Sequence, residues 1–121
     1  MAESVLVLDD NETIKRGLKL FLEKKGFEVE VGQDGEQGLA FFAETGRVFD
    51  LIVADILMPK VDGLEFGRQL RARGIDTPII FISGHFVDRT QHEIASITNA
   101  ELLPKPFRMK ALSQLIQSVL G

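Results

Sequence analysis

The chain lacks cysteine, tryptophan and tyrosine altogether, and these absences narrow what it can be. Without cysteine it can form neither a disulfide nor a thiolate-based zinc site or nucleophile. No apolar run approaches the roughly 18 residues that a membrane-spanning helix needs. The segment Met1–Ser4 carries no basic residue before its short apolar run, unlike a signal peptide. We therefore expect a cytoplasmic protein that does not bind a membrane.

Basic residues are also in the minority. The 121 residues include 14 Lys and Arg against 18 Asp and Glu, which gives a formal net charge of −4. Nucleic acids reward a basic surface, so we expect no direct nucleic-acid partner. Three arginines (Arg68, Arg71 and Arg73) fall on one predicted helix, and we interpret them as residues that keep this helix soluble. The length and the 45% hydrophobic content are those of one globular domain.

Short apolar runs that end in polar residues are the strongest positive feature of the chain. Runs of this kind are typical of strands in a parallel sheet, which is covered on both faces. The residues that follow four of these runs are Asp9 and Asp10, Asp55, Ser83, and Lys105.

The apolar runs alternate with helical patterns, which predicts five consecutive strand–helix units. We predict an α/β fold, with a single doubly wound five-stranded parallel sheet of order 2-1-3-4-5 flanked by five helices (flavodoxin-like). The half-polar second strand is expected at the edge. The predicted strands are 5–8, 27–31, 51–54, 79–82 and 101–103, and the predicted helices are 11–25, one that starts near 34, 64–73, 87–97 and 109–120.

Three carboxylates are expected to meet at the carboxyl edge of this sheet, where ligands bind in such folds. The first and third strands are neighbours in the predicted order, which brings Asp9, Asp10 and Asp55 together. Crowded carboxylates either have raised pKa values or require a cation, and Mg²⁺ prefers oxygen ligands. Two simpler roles stay open, namely Asp10 as the cap of the first helix and Asp55 as the first residue of a loop.

Lys105 and Ser83 are expected at the same edge. An ammonium group there could pair with the acids, and the bond before Pro106 can be cis at modest cost. The Ser83 hydroxyl could donate to a phosphoryl oxygen, and Gly84 leaves room beside it. A solvated lysine and a serine that satisfies a local backbone group are the alternatives.

Taken in order along the chain, these residues resemble those of the response-regulator receiver domain of two-component signalling, of the chemotaxis-regulator kind. The resemblance covers residues 1–121, which we expect to form one receiver domain without an output domain. The matching residues are Asp9-Asp10, Asp55 with Met58-Pro59 and Asp62-Gly63, Ser83-Gly84, and Lys105-Pro106-Phe107.

The resemblance implies a role for each polar residue of the edge. Asp55 would be the phosphoacceptor for a histidine kinase or phosphotransfer protein. Mg²⁺ would be bound by Asp10, Asp55 and the backbone carbonyl of Leu57, and by Asp9 through water. The family catalyses its own phosphorylation and dephosphorylation but is not a conventional enzyme.

The resemblance also implies a switch, in which Lys105 and Ser83 bind the phosphoryl oxygens and Ser83 moves its loop. The family usually has an aromatic switch residue at the position of Leu102. This departure is the sequence feature that supports an alternative, a receiver-like module that binds a protein without phosphorylation. Leu57 fits slow dephosphorylation, and we interpret His85 and His92 as surface residues.

The remaining expectations concern partners and competing functions. The signal would pass to a downstream protein or a fused output domain, and a homodimer could form through the fourth helix, fifth strand and fifth helix. A phosphohydrolase with an aspartyl nucleophile is disfavoured, because it needs a second Asp where this chain has Leu57. A dinucleotide-binding domain is disfavoured, because Asp9-Asp10-Asn11 replaces the glycine-rich turn.

Overall fold

The predicted alternation of strands and helices is present in the protein. A computed structural model describes residues 3–45, 48–84 and 88–121, so His85 lies outside the described residues. In chain order the elements are β1 (Ser4–Leu8), α1 (Glu12–Lys24), β2 (Glu28–Gly32), α2 (Gly35–Thr45), β3 (Leu51–Asp55), α3 (Gly63–Ala72), β4 (Ile79–Ser83), α4 (Asp88–Ala95), β5 (Ala100–Pro104) and α5 (Met109–Leu120).

The five strands form one parallel sheet in the order β2-β1-β3-β4-β5, which confirms the predicted doubly wound fold. Because β1 and β3 pair directly, Leu8 lies opposite Ala54 in the register, and the residues that follow both strands emerge side by side. β2 is an outer strand, as its alternating glutamates predicted. The topology alone therefore positions the acidic residues at one place on the sheet edge.

The side chains of the strands alternate between two apolar layers, as the period of two in a β-strand requires. Leu6 and Leu8 of β1 pack with Phe66 and Phe81 in the layer beneath α2, α3 and α4. Val5 and Val7 point the other way and pack against α1 and α5. Both faces of the sheet are thus covered, which explains why β1, β3 and β4 read as unbroken apolar runs.

Polar side chains cap the N-termini of α1, α2 and α3. Asn11 caps α1 by accepting from the backbone N–H groups of residues 13 and 14, at 3.0 and 3.1 Å. Asp34 and Asp62 accept in the same way from the first turns of α2 and α3, each at 2.8 Å. Such caps stabilise a helix by about 1 kcal/mol. The alternative role of Asp10 as the cap of α1 is wrong, because Asn11 fills that position.

The interpretation of Arg71 as a residue that only keeps its helix soluble is also wrong. Arg73 is exposed, as expected of a residue that keeps a helix soluble. Arg71 instead has a side chain that is only 14% exposed. Its guanidinium group donates to backbone carbonyls of two loops.

His92 lies on the surface, as predicted. No helix in the described part of the chain has the length and apolar character needed to cross a membrane.

Candidate functional site

Asp9, Asp10 and Asp55 meet at the carboxyl edge of the sheet, as predicted from their positions directly after the first and third apolar runs. One carboxylate oxygen from each residue lies within 4.8 Å of the other two. Asp9 and Asp55 are buried, and Asp10 is exposed at the rim. A cluster with two buried acids and one solvent-facing acid offers oxygen ligands to a cation that keeps part of its water shell.

Asp9 is held at the bottom of the cluster by a tight local turn. Its Oδ1 accepts the backbone N–H of Asn11 at 2.8 Å. Its Oδ2 is buried and, among the described residues, receives no hydrogen bond. Burial raises the pKa of the Asp9 carboxyl, the Asn11 N–H opposes this shift, and the negative charge of Asp55 adds to it. A buried carboxylate oxygen without a donor is costly, and a bound cation would remove that cost.

Asp55 is the last residue of β3 and is held from two sides. Its Oδ1 accepts the backbone N–H of Leu57 at 3.1 Å. Its Oδ2 accepts from the Lys105 ammonium at 3.0 Å, so the ion pair suggested by the sequence is present. The two contacts orient the carboxylate of a side chain that is 9% exposed. Asp55 is therefore positioned as a buried nucleophile or ligand rather than as an ordinary loop residue.

Lys105 and Ser83 approach each other because β4 and β5 are paired. The ladder ends with Ser83 opposite Pro104, and the Lys105 N–H donates to the Ser83 carbonyl at 2.7 Å. The Lys105–Pro106 peptide bond is cis. Ser83 is buried at the same edge as Asp55. The register thus places Ser83 and Lys105 at the same edge of the sheet, where the Lys105 ammonium group reaches Asp55.

A groove of about 600 Å³ opens beside Lys105, between α1 and the start of α5. Its walls are mostly apolar, and they include Ile14, Phe107 and Met109. A Cβ atom at Gly17 would meet nothing within 4 Å, so this part of the groove is open. Leu57, with 58% of its surface exposed, adds an apolar side chain close to Asp55 in the chain. A mostly apolar groove therefore lies beside Lys105, the residue that pairs with Asp55.

Leu102 occupies a half-buried position on β5 and packs against the layer beneath α2, α3 and α4. Its register partner on β4 is Phe81. Sequence reasoning flagged Leu102 as a departure but could not give its packing. It missed the roles of Gly63 and Arg71, which make hydrogen bonds to backbone carbonyls. The Asp62-Gly63 pair was the available signal, since it marks a capped helix that starts tightly against β3.

A sequence model of the response regulator receiver domain matches residues 5–117. This chain belongs to the receiver-domain family of response regulators. The receiver domain functions in two-component signalling.

Curated relatives and solved structures agree with this assignment. Response regulator MprA of Mycolicibacterium vanbaalenii is 34% identical over 122 positions, which cover 99% of this receiver domain and 51% of that protein. Response regulator MprA of Mycobacterium tuberculosis is 33% identical, with the same coverage. The chain thus spans about half the length of the curated relatives it matches.

The fold of this receiver domain is close to that of solved structures. Chemotaxis protein CheY4 of Vibrio cholerae has a TM-score of 0.90 and 30% identity, with 99% of this chain and 100% of that chain covered. The receiver domain of Francisella response regulator 1452 has a TM-score of 0.87 and 30% identity, with 98% and 96% covered.

Proposed function

We propose that Asp55 accepts a phosphoryl group from a phosphohistidine of a histidine kinase or phosphotransfer protein. The observation that supports this most strongly is the meeting of three carboxylates within 4.8 Å beside the Lys105 ammonium. Helix capping does not account for Asp9 or Asp10, because Asn11 caps α1. A buried, oriented carboxylate next to a cation and an acidic cluster suits phosphoryl transfer, which depends mainly on positioning and charge compensation.

The chemistry is a substitution at phosphorus. A carboxylate oxygen of Asp55 attacks the phosphorus atom, the P–N bond to the donor imidazole breaks, and its electron pair leaves with the imidazole. An acyl phosphate results, and later attack of water on phosphorus releases phosphate and restores Asp55. The apolar groove beside Lys105 gives the donor a surface on which to approach. The exposed Leu57 side chain would hinder water, which fits slow dephosphorylation.

The residues of the cluster fit Mg²⁺. Asp10, Asp55 and the backbone carbonyl of Leu57 would hold the ion directly, and Asp9 would hold it through water. The donor set consists of oxygens, and the buried Asp9 Oδ2 receives no hydrogen bond among the described residues. When bound, the ion offsets negative charge on the transferring group.

Phosphorylation would act as a switch through Lys105 and Ser83. Lys105 would exchange its 3.0 Å contact with Asp55 for a phosphoryl oxygen, and the Ser83 hydroxyl would donate to another. Each bond of this charge-assisted kind contributes about 1.5–3 kcal/mol. A shift of a two-state population from about 1:99 to about 99:1 needs about 5.5 kcal/mol, and two such bonds would supply much of this free energy. Leu102 would respond by repacking.

We further propose that residues 1–121 form one receiver domain that acts in the cytoplasm. It would signal to a downstream protein or a fused output domain, without direct contact with nucleic acid or a membrane. A homodimer through α4, β5 and α5 stays a prediction, in which the half-buried Leu102 and Leu120 would contribute apolar surface.

The decisive experiment is intact mass after incubation with acetyl phosphate and Mg²⁺. Wild type is expected to gain one phosphoryl group, and Asp55→Asn is expected to gain none. Asp62→Asn is the matched control, because an asparagine still caps α3 and the residue lies outside the acidic cluster. Labelling that persists in Asp55→Asn would reject Asp55 as the acceptor.

A second candidate function is a binding module that works without phosphorylation. Its specific support is Leu102, which is already packed against the layer beneath α2, α3 and α4. This candidate predicts that a partner binds wild type and Asp55→Ala equally, with or without acetyl phosphate. The proposed receiver function predicts a difference between the two proteins when acetyl phosphate is present.

A further inference from the structure

Helix α3 begins in direct contact with the backbone of the proposed phosphoacceptor. The Gly63 N–H donates to the carbonyl of Ile56 at 2.9 Å. A Cβ atom at position 63 would overlap the carbonyl oxygen of Asp55, so the two backbones touch. The first turn of α3 is further fixed by its Asp62 cap. The start of α3 therefore lies directly against the backbone of Asp55 and Ile56.

The other end of α3 is fixed to two loops by Arg71. Its Nε donates to the carbonyl of Thr98 at 2.9 Å. Its Nη1 donates to Ile75 at 2.9 Å, and its Nη2 donates to Thr77 at 2.9 Å and to Asn99 at 3.3 Å. Residues 75 and 77 precede β4, and residues 98 and 99 connect α4 to β5. One guanidinium group thus joins the entrances of two neighbouring strands.

The loop that Arg71 holds has a defined and unusual backbone. Asn99 has a φ of 57°, in the left-handed region that few side chains favour. Its side-chain N–H donates to the carbonyl of Asp76 at 2.9 Å, which adds a second link between the two loops. Midway along α3, Arg68 lies 3.4 Å from Glu93 of α4. Contacts at its centre and its end therefore connect α3 to α4 and to the loop at residues 96–99.

We propose that α3 couples the phosphoacceptor site to the α4–β5 loop, and that Arg71 is the positioning residue of this coupling. The proposal rests on the proposed function, because the change at Asp55 is its input. An α-helix of ten residues is about 15 Å long and transmits a displacement as a unit. The geometry gives the site a route to β5 that does not depend on the side chain at Leu102.

The forked guanidinium group of Arg71 allows a specific test of this proposal. A lysine keeps the positive charge, but its N–H donors share one nitrogen atom, so it cannot reproduce the bonds that three guanidinium nitrogens make to the two loops. In Arg71→Lys the loop at residues 96–99 loses its tie to α3, so the helix no longer passes a change at Asp55 to the loop and the ordered loop no longer favours binding at Asp55. Arg73→Lys is the matched control, since Arg73 is an exposed arginine on the same helix end.

The experiment titrates beryllofluoride, a mimic of the phosphoryl group, into the 121-residue protein in the presence of Mg²⁺ and follows binding by calorimetry. Coupling between sites typically changes affinity at least fivefold, so Arg71→Lys should bind about fivefold more weakly. Arg73→Lys should match wild type. Hydrogen exchange of peptides that cover residues 96–101 should change on binding in wild type and should not change in Arg71→Lys. A purely structural role would lower stability but leave the affinity and the exchange response unaltered.

The outcomes separate the two proposals. Wild type that binds no beryllofluoride would overturn the proposed function and the coupling together. Wild type and Arg71→Lys that bind equally tightly would overturn the coupling alone. If Arg71→Lys does not fold, the wild-type exchange measurement still decides, because unchanged protection of residues 96–101 on binding would overturn the coupling.

Discussion

Lys105 reaches across the sheet edge to Asp55, with 3.0 Å between Nζ and Oδ2, although 50 positions separate the two residues in the chain. Asp55 is an inner-strand residue, whereas Lys105 directly follows the outer strand β5. The ammonium group therefore compensates negative charge in the cluster. It also competes for Asp55 with any cation that binds there.

Replacement of Lys105 by methionine should strengthen Mg²⁺ binding while it weakens phosphorylation. The ion would no longer compete with the ammonium group, and a partly exposed charge of this kind is worth on the order of 1 kcal/mol. That energy corresponds to roughly fivefold in affinity. Labelling by acetyl phosphate should fall, because a phosphoryl oxygen loses its cationic partner. Calorimetry with Mg²⁺ and intact mass measure the two effects.

Lys110→Met removes the same charge from an exposed position in the first turn of α5 and serves as the control. It should leave both measurements near their wild-type values. Equal Mg²⁺ affinity in wild type and Lys105→Met would contradict the competition between the two cations.

Asp9→Asn should stabilise the metal-free protein and weaken Mg²⁺ binding. The substitution removes a buried negative charge beside Asp55 and gives the side chain an N–H donor in place of an oxygen that receives no hydrogen bond among the described residues. A gain of about 1 kcal/mol is expected from relief of such a group. For a domain of this size it raises the melting temperature by roughly 4 °C. Thermal unfolding in EDTA tests the stabilisation, and thermal unfolding in Mg²⁺ tests the weaker binding. A melting temperature of Asp9→Asn below that of wild type in EDTA would refute the stabilisation.

The stability of the metal-free protein should also depend on pH through Asp9. Burial raises the pKa of this carboxyl in the folded state above its ordinary value of 3.8. Between 3.8 and the raised value, the folded state binds more protons than the unfolded state, so stability falls as pH increases. Below that window Asp9 is protonated in the folded and the unfolded state, so its burial costs no ionisation energy. Above the window Asp9 is ionised in both states, and the full cost of burying its charge lowers the stability. Urea unfolding in EDTA should therefore show an advantage of Asp9→Asn that grows with pH across the window and then levels off.

Two glycine substitutions should have opposite effects on the free energy of unfolding. A Cβ at Gly63 overlaps the Asp55 carbonyl, and overpacking of this kind costs about 1–3 kcal/mol. A Cβ at Gly17, inside α1, meets nothing within 4 Å. Gly17→Ala should therefore gain about 0.5–1 kcal/mol from helix propensity. Urea unfolding compares the two variants, and a Gly63→Ala protein as stable as wild type would refute the close contact at Asp55.

The sequence predicted those parts of the molecule that follow from periodicity and strand order. Apolar runs gave the strands, and the order 2-1-3-4-5 then placed Asp9, Asp10 and Asp55 together. Cap assignment was left open between Asp10 and Asn11, because both residue types can cap a helix. The spatial arrangement decided it, since Asn11 lies where its side chain reaches the first turn of α1.

The role of Arg71 could not be predicted in this way. Its hydrogen-bond partners are main-chain carbonyls of two loops, and main-chain carbonyls are present at every position whatever the sequence. A helix pattern shows that Arg71 is polar but not that two loops converge on it. Leu102 marks a similar limit, because its half-buried packing depends on how β5 lies against α4 and Phe81.

The outer strands of the sheet carry glutamates, with Glu28 and Glu30 on β2 and Glu101 on β5. An outer strand presents backbone groups that can pair with a strand of another molecule. Charges along both rims make such pairing repulsive, and Pro104 at the end of β5 offers no N–H to continue a ladder. Aggregation through the sheet edges is therefore opposed, even though the three inner strands are almost wholly apolar.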